Sequence, residues 1–335
     1  MNKYIEELTK YLDREPLKRL LMACEDIRTM RVRGAGKIAR YAARTLKETC
    51  LNVRCNSSTD YINAVKKIAR CLVNTRPTAV SLPNSMRFIL NRLFEDYKSG
   101  IDDVDTLKDL TAKYSDSFIK NSLDAVKTIA ELGSRRIKDG DIIMTHCHST
   151  VAVKILQKAW DSGKHIEVFV RETRPRYQGH ITAKALASAG IPVTLIVDSA
   201  ARYFMKDVDL IVIGADTVAV NGAVINKIGT SELALVAKES RVNVMVGAET
   251  YKFDPKTVSG ELVKIEERDW REVINEEKLK VIGNIKVRNP AFDVTPPQYI
   301  DIIVTERGVI PPQAAFLIIQ SEFKISLPHI RDPWE

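Results

Sequence analysis

The sequence predicts an α/β protein, helical towards its start and built on a parallel sheet thereafter. Up to about residue 135 the apolar residues recur at helical spacing and runs of β-branched residues are scarce. From residue 141 five short apolar runs, DIIMT, HIEVFV, IPVTLIV, DLIVIGA and VNVMVGA, alternate with helical stretches. Strands that are apolar on both faces and separated by helices belong to a parallel sheet covered on both sides. A chain of 335 residues is also long for one hydrophobic core. We therefore expect an N-terminal helical domain over 1–125 and a Rossmann-like α/β domain over 126–335.

In the helical part Ile38, Ala42 and Leu46 share one helix face, as do Phe88, Leu90, Leu93 and Phe94. Pro77, Pro83 and Asn84 predict a break between these helices. In the sheet part Ala152, Ile155, Leu156 and Ala159 make the apolar stripe of a covering helix. A second helix over Ala183–Ala189 stops at Gly190. Internal repeats and low-complexity segments are lacking.

The opening MNKYIEELTKYLDREPLKRL is charged and amphipathic without a signal-like apolar core, and no stretch approaches the ~18 uninterrupted apolar residues of a membrane span. A cytoplasmic protein is expected. The five cysteines, Cys24, Cys50, Cys55, Cys71 and Cys147, form an odd set without CxxC spacing, unlike a disulfide framework or a zinc ribbon. The net charge of +8 is dispersed among acidic residues. It permits nucleic-acid binding and supports a phosphorylated small ligand equally well.

Open parallel sheets bind ligands at the carboxyl ends of their strands. Two chemically capable residues fall there: Cys147, after DIIMT in THCHST, and Asp216, after DLIVIGA. Cys147 lies between His146 and His148, yet His165, His180 and His329 add no spaced metal motif. No cysteine-hydrolase signature surrounds it either. Packing at a strand end is the plain alternative. Against that, Ser149 and Thr150 cap a helix starting near Val151, whose free N–H groups favour both a thiolate and a phosphate. Asp216 has its own plain alternative, as a loop cap.

RVRGAGKIARYA, residues 31–42, carries Gly34, Gly36 and Ala39 in GxGxxA spacing, but no apolar strand precedes it. It reads equally as a tight helix start or as a phosphate cradle completed by Arg31 or Arg33. Asn226-Lys227 precede a helix opening near Thr230-Ser231, and further basic residues, Arg76, Arg171, Arg174, Arg176 and Lys252, lie beside turns. Singly each basic residue is an ordinary surface charge; together they suit a ligand with two phosphates.

In order along the chain, RVRGAG, THCHST, TRPRYQG, IGADTVAVNGAVINKIGT, YKFDP and NPAFDVTPPQYIDIIVTERGV resemble one superfamily. It joins the initiation factor 2B α, β and δ subunits to the methylthioribose-1-phosphate isomerases and the archaeal ribose-1,5-bisphosphate isomerases. The resemblance spans nearly the whole chain. The enzymes carry the cysteine and aspartate that stand here as Cys147 and Asp216, whereas the factor subunits generally lack the cysteine. RGAG and THCHS are more similar to the ribose-1,5-bisphosphate branch than to the RGAP and THCN-like text of the methylthioribose branch.

The resemblance implies conversion of α-D-ribose 1,5-bisphosphate to D-ribulose 1,5-bisphosphate in nucleoside degradation that feeds Rubisco. Cys147 would be the proton acceptor and Asp216 the proton donor. Arg33, Gly34, Ala35, Gly36 and Arg76 would bind substrate in one group, Ser149, Thr150 and Val151 in a second, and Asn226, Lys227 and Lys252 in a third. Arg171, Arg174, Gln178 and Gly179 fall in a motif common to all branches and would shape the pocket. The resemblance also implies no metal or cofactor, a homo-oligomer (a dimer or an assembly of dimers), and openness to activation by AMP. These roles demand a protonated Asp216 and a Cys147 with thiolate character.

Overall fold

The computed structural model describes residues 6–76, 79–260, 262–323 and 332–334. The chain forms two compact units, one of Met1–Asp124 with Ser326–Glu335, the other of Ala125–Ile325.

The first unit is helical, with α1 (Arg14–Arg28), α2 (Ala35–Cys50), α3 (Ser58–Val73), α4 (Ser81–Lys98) and the start of α5 (Val104–Ser134). The stripe on α2 is fully buried at Ile38, Ala42 and Leu46. The predicted break falls between α3, which ends at Val73, and α4, which begins at Ser81, so Pro83 and Asn84 lie in the first turn of α4 just after it. There a proline costs nothing, because its missing N–H would have had no partner inside the helix. Pro77 lies outside the described residues. At the end of α4's core-facing half, buried Arg87 donates through Nε to Asp332 Oδ1 at 2.8 Å, tying the chain's final segment to this unit.

The second unit holds a seven-stranded sheet ordered β10-β9-β7-β4-β1-β2-β3. Its strands are β1 (Ile142–Thr145), β2 (Glu167–Arg171), β3 (Val193–Ile196), β4 (Leu210–Gly214), β7 (Asn243–Gly247), β9 (Ile302–Thr305) and β10 (Gly308–Ile310). All neighbours are parallel except β10, which runs antiparallel to β9. The five predicted runs supply β1, β2, β3, β4 and β7. Helices α6 (Thr150–Asp161), α7 (Gln178–Ala187), α8 (Thr230–Glu239) and α10 (Ala315–Phe323) accompany it, with the short α9 (Glu276–Ile282) outside. Cores on the two faces gather around Val151, Ile155 and Val212 on one and around Ile211, Leu233 and Val246 on the other. This is the alternating burial that makes the inner strands apolar on both faces, while the edge strand β3 exposes Thr194 and Leu195.

A smaller antiparallel sheet, β5-β6-β8, joins Thr217–Val218, Val224–Lys227 and Phe292–Thr295. Among the described residues no helix is long and apolar enough to cross a membrane.

Candidate active site

Strand order decides where the site falls. From β1 the sheet proceeds to β2 and β3 on one side and to β4, β7 and β9 on the other, so the order reverses between β1 and β4. The loops leaving these two adjacent strands diverge and open a crevice at their carboxyl ends. Cys147 follows β1 and Asp216 follows β4. Both therefore follow the carboxyl ends of adjacent parallel strands.

Cys147 is held by its backbone. Its φ of +67° is left-handed, a conformation that costs a non-glycine residue roughly 1 kcal/mol or more unless its surroundings fix it. Two threonines do so. The Cys147 N–H donates to Thr173 Oγ1 at 2.9 Å, and Thr182 Oγ1 donates to the Cys147 carbonyl at 2.8 Å. Thr173 Oγ1 in turn donates to the Arg171 carbonyl at 3.1 Å, and its own N–H is held by Asp198 at 2.9 Å. The loops after β1 and β2 are thereby locked together.

Ser149 caps α6 as expected, accepting from the Ala152 N–H at 3.3 Å, and Val151 is buried behind it. Paired glycines on neighbouring strands make room for this helix start. A Cβ on Gly214 would overlap Ser149 Oγ, and one on Gly247 would come within 2.6 Å of Val151 Cγ1.

The expectation that the helix start would confer thiolate character on Cys147 is corrected. Burial dominates and pushes the thiol up to about 11; Lys227, a backbone hydrogen bond from His148 and Arg268 pull the other way, and Asp216 adds to the rise. The free protein at neutral pH therefore holds a thiol.

Asn226 and Lys227 end β6, beside β5, which begins immediately after Asp216; the Asp216 N–H donates to the Ile225 carbonyl at 2.9 Å. Both side chains are buried. Lys227 donates to the Ala291 carbonyl at 3.0 Å and lies 4.7 Å from the Phe292 ring centre. Lys252 follows β7 and is buried in an ion pair with Glu249 at 2.7 Å. A buried cation is expensive unless paired or used, and both lysines sit at the carboxyl edge.

The first-unit candidates are arranged among themselves. Gly34 caps α2 with φ +89°, so the tight helix start of the two readings is formed. Ser81 Oγ at the start of α4 donates to the Ala35 carbonyl at 3.1 Å, and Arg76 lies in the turn leading there. Gly36 is within the first turn of α2, and Arg33 Nε donates to the Met30 carbonyl at 2.9 Å.

Further residues around the site had no role assigned from the sequence. His146 is buried and donates through Nε2 to the Ile228 carbonyl at 2.8 Å, bracing β1's loop against the β6–α8 turn. Burial, then the Arg171 charge, lower it to about 4, so it is neutral. Asp293 caps α8, accepting from the Gly229 and Ser231 N–H groups at 2.7 and 3.1 Å. Arg268 donates its N–H to the Asn289 carbonyl, and the next residues, Pro290 to Phe292, run on into β8 beside Lys227. In IEERDWRE it looks like one charge in a solvated run, which gave no signal. Buried Arg171 is stapled to the more exposed Glu232 and to Gly229, with guanidinium distances of 2.6 Å to Glu232 Oε2 and 2.9 Å to the Gly229 carbonyl. Among the described residues no group of three or more His, Cys, Asp or Glu is placed to hold a metal ion.

Fold and site together define an α/β protein with an acid–thiol pair and buried lysines at a sheet switch point. The chain belongs to the initiation factor 2 subunit family, whose model matches residues 31–312. It is 52% identical over 320 residues to the ribose 1,5-bisphosphate isomerase of Thermococcus kodakarensis, covering 95% of this chain and 99% of that relative. Among solved structures it is similar to the translation initiation factor eIF-2B of Pyrococcus horikoshii OT3, with TM-score 0.74 and 30% identity over 88% of this chain and 97% of the other. The 5-methylthioribose 1-phosphate isomerase of Pyrococcus horikoshii OT3 gives TM-score 0.73 and 30% identity over 92% and 88% of the two chains.

Proposed function

We propose that the chain is an aldose–ketose isomerase that converts α-D-ribose 1,5-bisphosphate to D-ribulose 1,5-bisphosphate. One observation carries the reading: Cys147 and Asp216 end adjacent parallel strands at the point where the strand order reverses. The 52% identity to a relative of that name, against 35% to the methylthioribose-1-phosphate isomerase of Acetivibrio thermocellus, supports this substrate over the alternatives.

The 1-phosphate blocks simple ring opening to an aldehyde, so an acid and a base must act together. In our reading Asp216 gives its proton to the ring oxygen as the C1–O bond breaks, and Cys147 thiolate removes the C2 proton. The C2–H electrons form the C1=C2 bond of a phosphoenolate. Return of that proton from Cys147 to C1, and loss of the C2 hydroxyl proton to Asp216, give the ketone and restore both groups. Forming thiolate at pH 7 from a thiol titrating near 11 costs on the order of 5 kcal/mol. Hence the neighbouring cations matter.

Ser149, Thr150, Val151, Asn226, Lys227 and Lys252 are proposed to bind substrate from the sheet-bearing unit, and Arg33, Gly34, Ala35, Gly36 and Arg76 from the helical unit. We further propose a cytoplasmic homo-oligomer, as a dimer or an assembly of dimers, that is activated by AMP.

The test is to incubate the purified protein separately with ribose 1,5-bisphosphate and methylthioribose 1-phosphate and follow each by carbon NMR. Ketone formation from the bisphosphate supports the proposal. Turnover of the methylthio compound alone would move the chain to the other enzyme branch. Turnover of neither, with tight binding to initiation factor 2, would make it a regulatory subunit.

A further inference from the structure

Cys24 and Cys71 are remote from the strand-end chemistry in sequence, and the isomerisation uses neither. Cys24 lies on α1 and Cys71 on α3, 47 positions apart, yet their Sγ atoms approach to 3.4 Å. Cys24 is buried, 3% exposed, while Cys71 is half-buried and so reachable from solvent. We propose that Cys24 and Cys71 form a reversible dithiol–disulfide pair, oxidised by small hydroperoxides, that staples α1 to α3.

The pair is asymmetric in the way such chemistry needs. The hydrogen bond between the sulfurs, followed in effect by the Arg28 charge on the same side, lowers the Cys71 thiol against the opposing effect of burial, whereas Cys24 is raised. The two sulfurs share one hydrogen bond at 3.4 Å, and Cys71, the less buried of the two, is the one an oxidant in solvent reaches first. Cys71 attacks the peroxide, breaking its O–O bond and becoming a sulfenic acid while one oxygen leaves as water. Cys24 sulfur then attacks the Cys71 sulfur, the S–S bond forms, and the second oxygen leaves as water. Both thiols are oxidised and the peroxide is reduced, without another reactant. Cys50 is a built-in contrast, being fully buried on α2 with its thiol raised by desolvation.

The staple needs little rearrangement, since the sulfurs already touch and only have to close to the ~2.05 Å of a disulfide. A cross-link over 47 positions restricts the unfolded chain, so the oxidised protein should melt several degrees above the reduced one.

The experiment treats the full-length reduced protein with a small excess of hydrogen peroxide, blocks remaining thiols with iodoacetamide, and maps the digest by mass spectrometry. A dithiothreitol-sensitive peptide joining Cys24 to Cys71, 2 Da lighter than the sum of its parts, is expected, together with a higher melting temperature. The melting shift should vanish in Cys24→Ser and in Cys71→Ser, each checked for native circular dichroism. Alkylation of both cysteines after peroxide treatment, overoxidation of Cys71 without a cross-link, or pairing of either with another cysteine would overturn the proposal. Because the wild-type map is read directly, a variant that misfolds leaves the test intact.

Discussion

The Cys147 N–H donates to Thr173 Oγ1 at 2.9 Å, so the loop after β2 fixes the backbone of the residue that follows β1. This bond holds Cys147 at its left-handed φ of +67°. Thr173→Val keeps the shape but leaves that N–H without an acceptor, which costs about 1–3 kcal/mol. Turnover should drop at least tenfold with a modest change in KM, while Thr173→Ser stays near wild type. Steady-state kinetics with a thermal melt check this; equal kinetics for Val and Ser would contradict it.

Burial sets the Cys147 thiol near 11, and a base must be deprotonated to act. The kcat/KM of the free protein should therefore rise with pH through the neutral and mildly alkaline range. Arg268 lowers this thiol, so Arg268→Met should shift the rising limb to higher pH and depress kcat/KM at pH 7 severalfold. A pH–rate profile insensitive to the substitution would remove Arg268 from the account.

Gly214 leaves the space that Ser149 occupies at the start of α6. Gly214→Ala forces that helix start outwards, at a cost of about 1–3 kcal/mol for overpacking. Because Ser149, Thr150 and Val151 are proposed to bind phosphate, KM should rise more than kcat falls. A variant that loses stability but keeps KM would separate this packing from substrate binding.

Two buried groups act oppositely on acid stability. Burial lowers His146 from 6.5 to about 4, so as pH falls through this window the unfolded chain takes the proton first and stability is lost. Burial raises Asp293 from 3.8 to about 6; its stabilising contribution is complete below 3.8 and is lost as pH rises through about 6. Between pH 4 and 6 the two largely offset. Asp293→Asn removes the compensation, so the stability gap to wild type should widen by on the order of 3 kcal/mol from pH 7 to pH 4. Urea titrations across this range measure it; a constant gap would contradict it.

Much of this arrangement was legible in the sequence because strands and helices impose different periods. DLIVIGA reads as a buried parallel strand, and its last residues place Asp216 at a strand end. Ser149 reads as a cap because a serine before an apolar helical stripe has little else to do. Strand order was not legible, since it depends on packing between segments far apart in the chain; nor were the short β5, β6 and β8, whose pairing is tertiary. The break near Pro83 was legible, but on which side of it the proline falls was not, because a proline that ends one helix and a proline that begins the next look alike until the helix start is known. The thiol of Cys147 misled for an electrostatic one: a helix start is readable, but the desolvation that outweighs it is not. Arg268 and Thr173 became visible only when folding brought their loops to Cys147.

The central claim is that Cys147 and Asp216 act as base and acid on ribose 1,5-bisphosphate. The most direct measurement is single-turnover formation of ribulose 1,5-bisphosphate by wild type, Cys147→Ser and Asp216→Asn, with substrate binding measured in parallel by calorimetry. The account predicts product from wild type and a fall of about a hundredfold or more in each variant with binding retained, the signature of lost proton transfer. Wild-type-like turnover in either variant, or no ribulose 1,5-bisphosphate from the wild-type protein, would contradict it.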